Sequence, residues 1–270
     1  MMISETLNCG AIVTTSQKGK GDLIPRAKGA AKLLRIPYVE RKRLSLANLQ
    51  ANHKNKDILI FSQKGPQLFT GEGKAHEFHL SMAQLRLIAY DRGETDHLVE
   101  ALGPEAISSF LDCTAGLGSD SLVVAYAKRS CKKMVALEGN PLLAYITNYG
   151  LRHFVHENDT VTAALRRIQV CAVRFETFLQ RAKDDSFDVV YFDPMFEVPV
   201  TESPQFLSLR GHLVESGFTE AILREAKRVA KERVIVKERP FSSIFQTMEP
   251  DELLGGKYSR VAYGVYKVKG

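Results

Sequence analysis

From residue 110 onward, short apolar runs alternate with longer segments whose apolar positions recur at helical spacing. The runs SFLDCTA, KMVALEG, IQVCAV, DVVYFDP and ERVIVKE read as strands. SDSLVVAYAKR, PLLAYITNYGLRHF and FTEAILREAKRVA, which lie between them, read as helices. Strands that are apolar at nearly every position must be covered on both faces. The alternation therefore predicts a parallel sheet with helices on either side. The tail, YSRVAYGVYKV at 258–268, has Gly264 in its middle and suits a final hairpin on the sheet's edge.

Before residue 75 the pattern differs. GAIVTTS (10–16) reads as a short strand, and LIPRAKGAAKLLRI (23–36) spaces its apolar residues as a helix with Lys and Arg between them. VERKRLSLANLQANH (39–53) joins a basic cluster to a second helix. DILIFS (57–62) and PQLFT (66–70) flank Gln63, Lys64 and Gly65 as a hairpin. GEGKAHEFHLSMAQLR (71–86) reads as a connector, with a helix following at about 94–102. The expected division is a small α/β unit over 1–75 and a larger α/β domain over 76–270. The chain shows no internal repeat and no low-complexity segment.

Composition narrows the class. The 270 residues are ample for a core without staples, and Cys9, Cys113, Cys131 and Cys171 are too scattered for a disulfide framework or a zinc site. No apolar run approaches the roughly 20 residues of a bilayer span, and MMISETLNCGAIVTT lacks the features of a signal peptide. The expectation is a soluble cytoplasmic protein. The net charge of +6 is unevenly spread: residues 1–75 carry 13 Lys/Arg against 5 Asp/Glu, and residues 76–270 carry 24 against 26. A basic end on a neutral body suits a polyanion, with Lys18, Lys20, Arg26, Arg41, Lys42 and Arg43 as candidate RNA-phosphate contacts; a solvated basic face is the alternative.

The chemistry concentrates in two stretches. LDCTAGLGSD (111–120) is a strand, a glycine turn and a helix start. Gly116 and Gly118 let the backbone turn tightly and a ligand approach, and Asp120 falls in the first turn of the next helix. Glu138, 20 residues past Gly118, stands where an acid accepts hydrogen bonds from ribose hydroxyls. A dinucleotide and S-adenosylmethionine both fit such a crevice. The dinucleotide fingerprint needs a third Gly or Ala where this chain has Ser121, and Asp112 puts a negative charge where a pyrophosphate would lie. A sulfonium donor with a free amino group welcomes that acid, so the methyl donor is favoured.

VVYFDPMF (189–196) closes the fourth strand and brings Asp193 to the same crevice. An exocyclic amine is a poor nucleophile because its lone pair is delocalised into the ring. The Asp193 carboxylate and the Pro194 carbonyl can accept from its N–H groups, while Phe196 stacks on the base. As a helix cap or a core aromatic, Asp193 or Phe196 alone would mean little; D-P-x-F at this strand end favours the catalytic reading. Lys237 and Arg239, beside Pro240 at the end of the fifth strand, border the crevice as candidate phosphate contacts. Arg86 and Arg92 could reach phosphate or donor, or lie on a solvated helix face. His76 and His79 have helix-turn spacing but no Cys or carboxylate cluster beside them, so no metal is expected.

Five βα units and a terminal hairpin outline a class I methyltransferase, a Rossmann-like doubly wound sheet, here with a small N-terminal α/β domain. D-P-M-F resembles the (D/N)-P-P-(Y/F) signature of methyltransferases acting on base amines and glutamine amides. DCTAGLGSDS, EGNPLLAYITNYGL, VVYFDPMF and VIVKERP follow in an order similar to the RsmJ family, S-adenosylmethionine-dependent guanine-N2 methyltransferases of small-subunit ribosomal RNA. The resemblance covers about residues 75–268. It implies donor contacts from Ser119, Asp120, Glu138, Gly139 and Asp193, and places Arg174 and Phe175 at the adenine end. The chain departs from the family at Ser119 and Gly139, where arginines are expected, and at Glu197, where a proline is. The competing expectations are a methyltransferase for a protein amide or small amine, a catalytically silent RNA-binding relative, and a nicotinamide oxidoreductase.

Overall fold

Among the described residues, eight strands form the principal sheet in the order β1-β8-β7-β6-β9-β10-β12-β11. They are β1 (Met2–Ile3), β6 (Ser109–Asp112), β7 (Lys133–Glu138), β8 (Ile168–Ala172), β9 (Phe187–Phe192), β10 (Ala230–Glu238), β11 (Glu252–Leu254) and β12 (Ala262–Lys267). All pairings from β1 to β10 are parallel, and β12 runs antiparallel between β10 and β11. The order reverses between β6 and β9, which opens a crevice at their carboxyl ends. The computed structural model describes residues 2–3, 10–17, 21–54, 56–70, 75–194, 217–255 and 259–268.

Burial explains the continuous apolar strands. All six residues of β9 are buried: Val189 and Tyr191 join one core cluster, while Phe187, Val190 and Phe192 join the other. Helices α3 (Ser81–Asp91), α4 (His97–Ala101), α5 (Ser119–Ala127) and α7 (Asp159–Arg167) pack into the first cluster. Helices α8 (Phe175–Arg181), α9 (Glu220–Val229) and α10 (Ser243–Thr247) pack into the second. The expected doubly wound α/β sheet is present.

Two local expectations change. The tail contributes one strand, β12, whose hairpin partner β11 lies upstream and takes the edge. Gly264 is required there because a Cβ would come within 2.5 Å of Phe245 Cε1. The stretch 71–86 is not wholly a connector, since Ser81 already begins α3. Helix α7 escapes sequence reading because its buried face is only Val161, Ala164 and Leu165.

The N-terminal residues form a second sheet, β2 (Ala11–Thr15), β3 (Asp57–Ser62), β4 (Gly65–Phe69) and β5 (Ala75–His76), paired in chain order. Helix α2 (Leu46–Asn52) covers one face through Leu49. Helix α1 (Leu23–Leu34) covers the other, together with Leu142, Leu143 and Ile146 of α6 (Pro141–His153). Helix α6 therefore belongs to both packing layers. Its start follows from sequence: Pro141 takes the first turn, and the Asn140 side chain accepts from the amides of Leu142 (2.9 Å) and Leu143 (3.2 Å).

Candidate active site

The glycine turn between β6 and α5 is fastened on every side. Gly116 (φ 51°) and Gly118 (φ 80°) occupy the left-handed region, which other residues adopt only with strain. The amides of Cys113 and Ala115 donate to the carbonyls of Tyr191 and Leu137, both at 2.9 Å, sewing the turn to β9 and β7. Thr147 Oγ1 of α6 donates to the Gly116 carbonyl at 2.7 Å. Asp112 accepts from the Thr114 amide (3.0 Å) and from the Ser121 hydroxyl (2.6 Å). Ser121, where a dinucleotide fingerprint would need Gly or Ala, is thus the tether of the strand-end acid.

Glu138 closes the adjacent strand end, accepting from the Gly116 amide (3.1 Å) and the Asn140 amide (2.7 Å). Burial pushes both Glu138 and Asp112 up to about 7, against the hydrogen bonds that favour their charged forms. Asp193 follows β9; its amide donates to Thr114 Oγ1 at 2.6 Å, so the D-P element is tied directly to the glycine turn.

A charged chain runs through the interior to this point. Arg86 of α3 grips Asp96, the N-cap of α4, through Nε (2.7 Å) and Nη2 (2.9 Å), and reaches Asp120 through Nη1. Asp120 Oδ2 also accepts from the Tyr191 hydroxyl at 2.8 Å and from Lys237 Nζ at 3.2 Å. Lys237 Nζ lies 2.7 Å from Asp193 Oδ2. Burial alone would raise Asp120, but Lys237 and Arg86 hold it well below the usual carboxylate range. Burial raises Asp193 above its ordinary value, with Lys237 opposing. The Asp193 side chain keeps 28% of its surface exposed, against 10% for Asp120 and 19% for Lys237. The chain of charge therefore opens to solvent at Asp193.

A model for SAM-dependent methyltransferases matches residues 45–268. This chain belongs to that family. The methyltransferase is 32% identical over 235 residues to protein YpiP of Bacillus subtilis, covering 87% of this chain and 91% of that protein. It is 27% identical over 172 residues to ribosomal RNA small subunit methyltransferase J of Actinobacillus succinogenes, covering 63% of this chain and 65% of that one. The same-named protein of Coxiella burnetii is 28% identical over 182 residues, covering 66% and 68%. The SAM-dependent methyltransferase NGO1261 of Neisseria gonorrhoeae superposes with a TM-score of 0.61 at 19% identity, over 96% of both chains, and shares the fold.

The cofactor of this methyltransferase is S-adenosylmethionine, which supplies a methyl group activated on a sulfonium. The residues present fit it. A Cβ on Gly116 would meet no atom within 4 Å, so space lies open beside the turn. Glu138 spends one lone pair of each oxygen on backbone amides and keeps capacity for ribose hydroxyls.

The structure brings together Asp112, Gly116, Gly118, Ser119, Asp120, Glu138, Gly139, Asp193 and Pro194, which follow or end β6, β7 and β9. Phe196, Lys18 and Lys20 lie outside the described residues. Phe175 is corrected: its ring is 6% exposed and stands edge-on to Phe192 at 5.4 Å, so it packs the core rather than lining the crevice. Arg174 pairs with Glu176 at 2.8 Å just after β8. Lys237 is corrected as well, because its ammonium is held between two carboxylates and is not offered to phosphate. Arg239 is partly exposed immediately beyond β10.

Among the described residues, the basic candidates are held in different ways. Arg26 bonds to the Tyr149 hydroxyl and to Asp22, and sits over the Tyr149 ring at 5.4 Å, clasping α1 to α6. Arg41, Lys42 and Arg43 occupy the approach to α2, Lys42 and Arg43 exposed, while Arg41 donates to the Leu44 carbonyl at 3.1 Å. Among the described residues, no group of three or more His, Cys, Asp or Glu could hold a metal, and no helix is long and apolar enough to cross a membrane.

Sequence reading missed Tyr191 as the buried partner of Asp120, because one hydroxyl within the mostly apolar run VVYF gives no periodic signal. It also missed Glu176. The Oε2 of Glu176 is buried without a hydrogen-bond partner, and its charge bears on Cys113 beside the glycine turn.

Proposed function

We propose that this methyltransferase modifies the exocyclic amine of a guanine in small-subunit ribosomal RNA, working in the cytoplasm. The observation that carries the reading is the Asp193 carboxylate: half-buried, open to the crevice, and bonded through its own backbone to the turn that holds the donor. The relatives named ribosomal RNA small subunit methyltransferase J support the choice of RNA.

In this reading Glu138, Ser119 and Gly139 hold the donor, and the preformed turn costs nothing to organise at the moment of reaction. Asp193 and the Pro194 carbonyl accept from the amine's N–H groups and draw its lone pair out of conjugation. Phe196 fixes the plane of the base. Removing one preorganised donor from an oxyanion hole costs about 2.7–4 kcal/mol, and fixed acceptors beside a nitrogen that gains positive charge act by the same preorganisation. The amine's proton leaves after transfer, so no general base is needed. The base must leave its stack to reach Asp193, and Arg41, Lys42 and Arg43 supply phosphate contacts that weaken with salt.

Deleting the gene and mapping base methylation in ribosomal RNA tests the assignment. One guanine in the small-subunit RNA should lose its N2-methyl group, be remethylated by the purified protein, and stay unmodified with Asp193→Ala. Ribosomal RNA unchanged by the deletion would defeat the RNA reading and leave the protein-amide and small-amine alternatives standing.

A further inference from the structure

We propose that Lys237 is a positioning residue for methyl transfer: its ammonium grips one oxygen of Asp193 and leaves the other to the target amine. The inference rests on the reading of Asp193 as the amine's acceptor and adds what holds that acceptor in place.

Lys237 has two carboxylate partners, and they do not depend on it equally. Asp120, at 3.2 Å, also has Arg86 on Oδ1 and the Tyr191 hydroxyl on Oδ2. Asp193, at 2.7 Å, has no other cation paired with it among the described residues. Removing Lys237 therefore leaves Asp120 anchored and Asp193 alone. The groups that bear on Asp193 are Lys237 from β10, Asp120 from α5, Arg86 from α3, Asp112 from β6 and Tyr191 on its own strand. Two of these are carboxylates within the same half-buried space. Without Lys237 the neighbourhood favours a protonated Asp193, which has one acceptor oxygen fewer to aim at an N–H.

The arrangement also fixes direction. The Asp193 amide is held by Thr114 and its Oδ2 by Lys237, so the residue is held at its backbone and at one carboxylate oxygen. Lys237 in turn is placed by Asp120, which Arg86 fastens to Asp96 at the start of α4. The long interior ion-pair chain thus ends in the aim of one carboxylate oxygen. A phosphate-binding lysine would instead need its ammonium exposed, and this one is 19% exposed.

The test uses Lys237→Met and Lys237→Arg in the full chain, with three readouts. In the free protein, the Asp193 carboxyl carbon is titrated by NMR. Lys237→Met should raise its midpoint by about one unit or more, and Lys237→Arg should leave it near wild type. Donor affinity by calorimetry should stay within about threefold of wild type in both variants, since Lys237 is placed on the acceptor side. With RNA substrate, Lys237→Met should lower kcat by roughly 100-fold and move the acidic limb of the pH profile upward, with Lys237→Arg recovering most of the rate.

An unmoved Asp193 titration would overturn the proposal, and so would donor affinity falling in step with kcat. Should Lys237→Met fail to fold, Lys237→Arg with an altered Asp193 titration or rate would also count against it, because the charge and reach are retained. If wild-type protein methylates no ribosomal RNA, the substrate reading fails, while the NMR titration still decides the Lys237–Asp193 coupling.

Discussion

Gly150 lies inside α6, where glycine is ordinarily a defect, and replacing it with alanine should still destabilise this protein. In a helix interior Gly→Ala gains about 1 kcal/mol from propensity. Here the added Cβ would fall 1.9 Å from Phe78 Cγ and 2.3 Å from both Cδ atoms. No rotamer of an alanine can relieve that overlap, so the Phe78 ring must leave its seat against the helix. The ring is half-buried and stands edge-on to Phe154 at 5.9 Å. Displacing it forfeits part of the roughly 1.5–3 kcal/mol of a buried Phe, and about 0.5–1.5 kcal/mol of aromatic pairing. The net expectation is a loss of about 1–2 kcal/mol after the helix gain is subtracted. Urea denaturation should show a lower midpoint at an unchanged slope. The double variant Phe78→Ala/Gly150→Ala should recover most of the clash cost, giving a large coupling in a double-mutant cycle. Because Phe78 leads into α3, which carries Arg86, the single variant should also lower turnover. Equal or greater stability of Gly150→Ala would refute the reasoning.

Three further outcomes follow from the same geometry. Arg86→Met removes the cation shared by Asp96 and Asp120, leaving Asp120 to Lys237 and Tyr191 and Asp96 to the first amides of α4. It should cost about 1–3 kcal/mol in thermal unfolding; a change well under about 1 kcal/mol would show that the pair contributes nothing. Glu138, pushed up to about 7 in the fold from an ordinary value near 4.3, favours folding fully below about pH 4, and that contribution fades as pH rises through 7. The stability gap between wild type and Glu138→Gln, followed by thermal melts from pH 5 to 8, should therefore shrink or reverse with rising pH; a constant gap contradicts the burial argument. Glu176→Ala removes the unpartnered Oε2 beside the donor turn and should weaken donor binding about tenfold in calorimetry, whereas unchanged affinity would place that oxygen outside the donor site.

How much of this was readable beforehand depends on the kind of signal involved. Strands β6 to β10 were legible because burial on both faces forces predominantly apolar runs, and α6 because Asn140-Pro141 is a strong helix start. The glycine turn and Asp193 were legible because local backbone geometry and strand-end placement are written in adjacent residues. The pairing of Arg86, Asp120, Lys237 and Asp193 into one chain was not, since its members are up to 151 residues apart and nothing local to any of them names its partner. The second role of Arg26, read from sequence as a phosphate contact, was hidden for the same reason: its partner Tyr149 lies 123 residues later. Phe175 follows the expected strand, at the start of α8, but sequence offset cannot say whether an aromatic turns toward the crevice or toward Phe192.

The placement of charge at the strand ends explains why the protein keeps so many ionisable groups inside. Asp112, Glu138 and Asp193 end or follow β6, β7 and β9, which are neighbours in the sheet, so three carboxylates share one rim. Three bare anions there would repel one another and resist burial. The fold treats them differently. Among the described residues, Asp112 and Glu138 are buried beside backbone amides and a hydroxyl with no paired cation, and burial pushes both up to about 7. Asp193 alone is given an ammonium partner, and that partner is itself anchored in the interior. Under the proposed function, acids raised by burial on the donor side, beside an acceptor-side acid whose direction is held by an anchored ammonium, suit a site where positive charge must move from one side to the other.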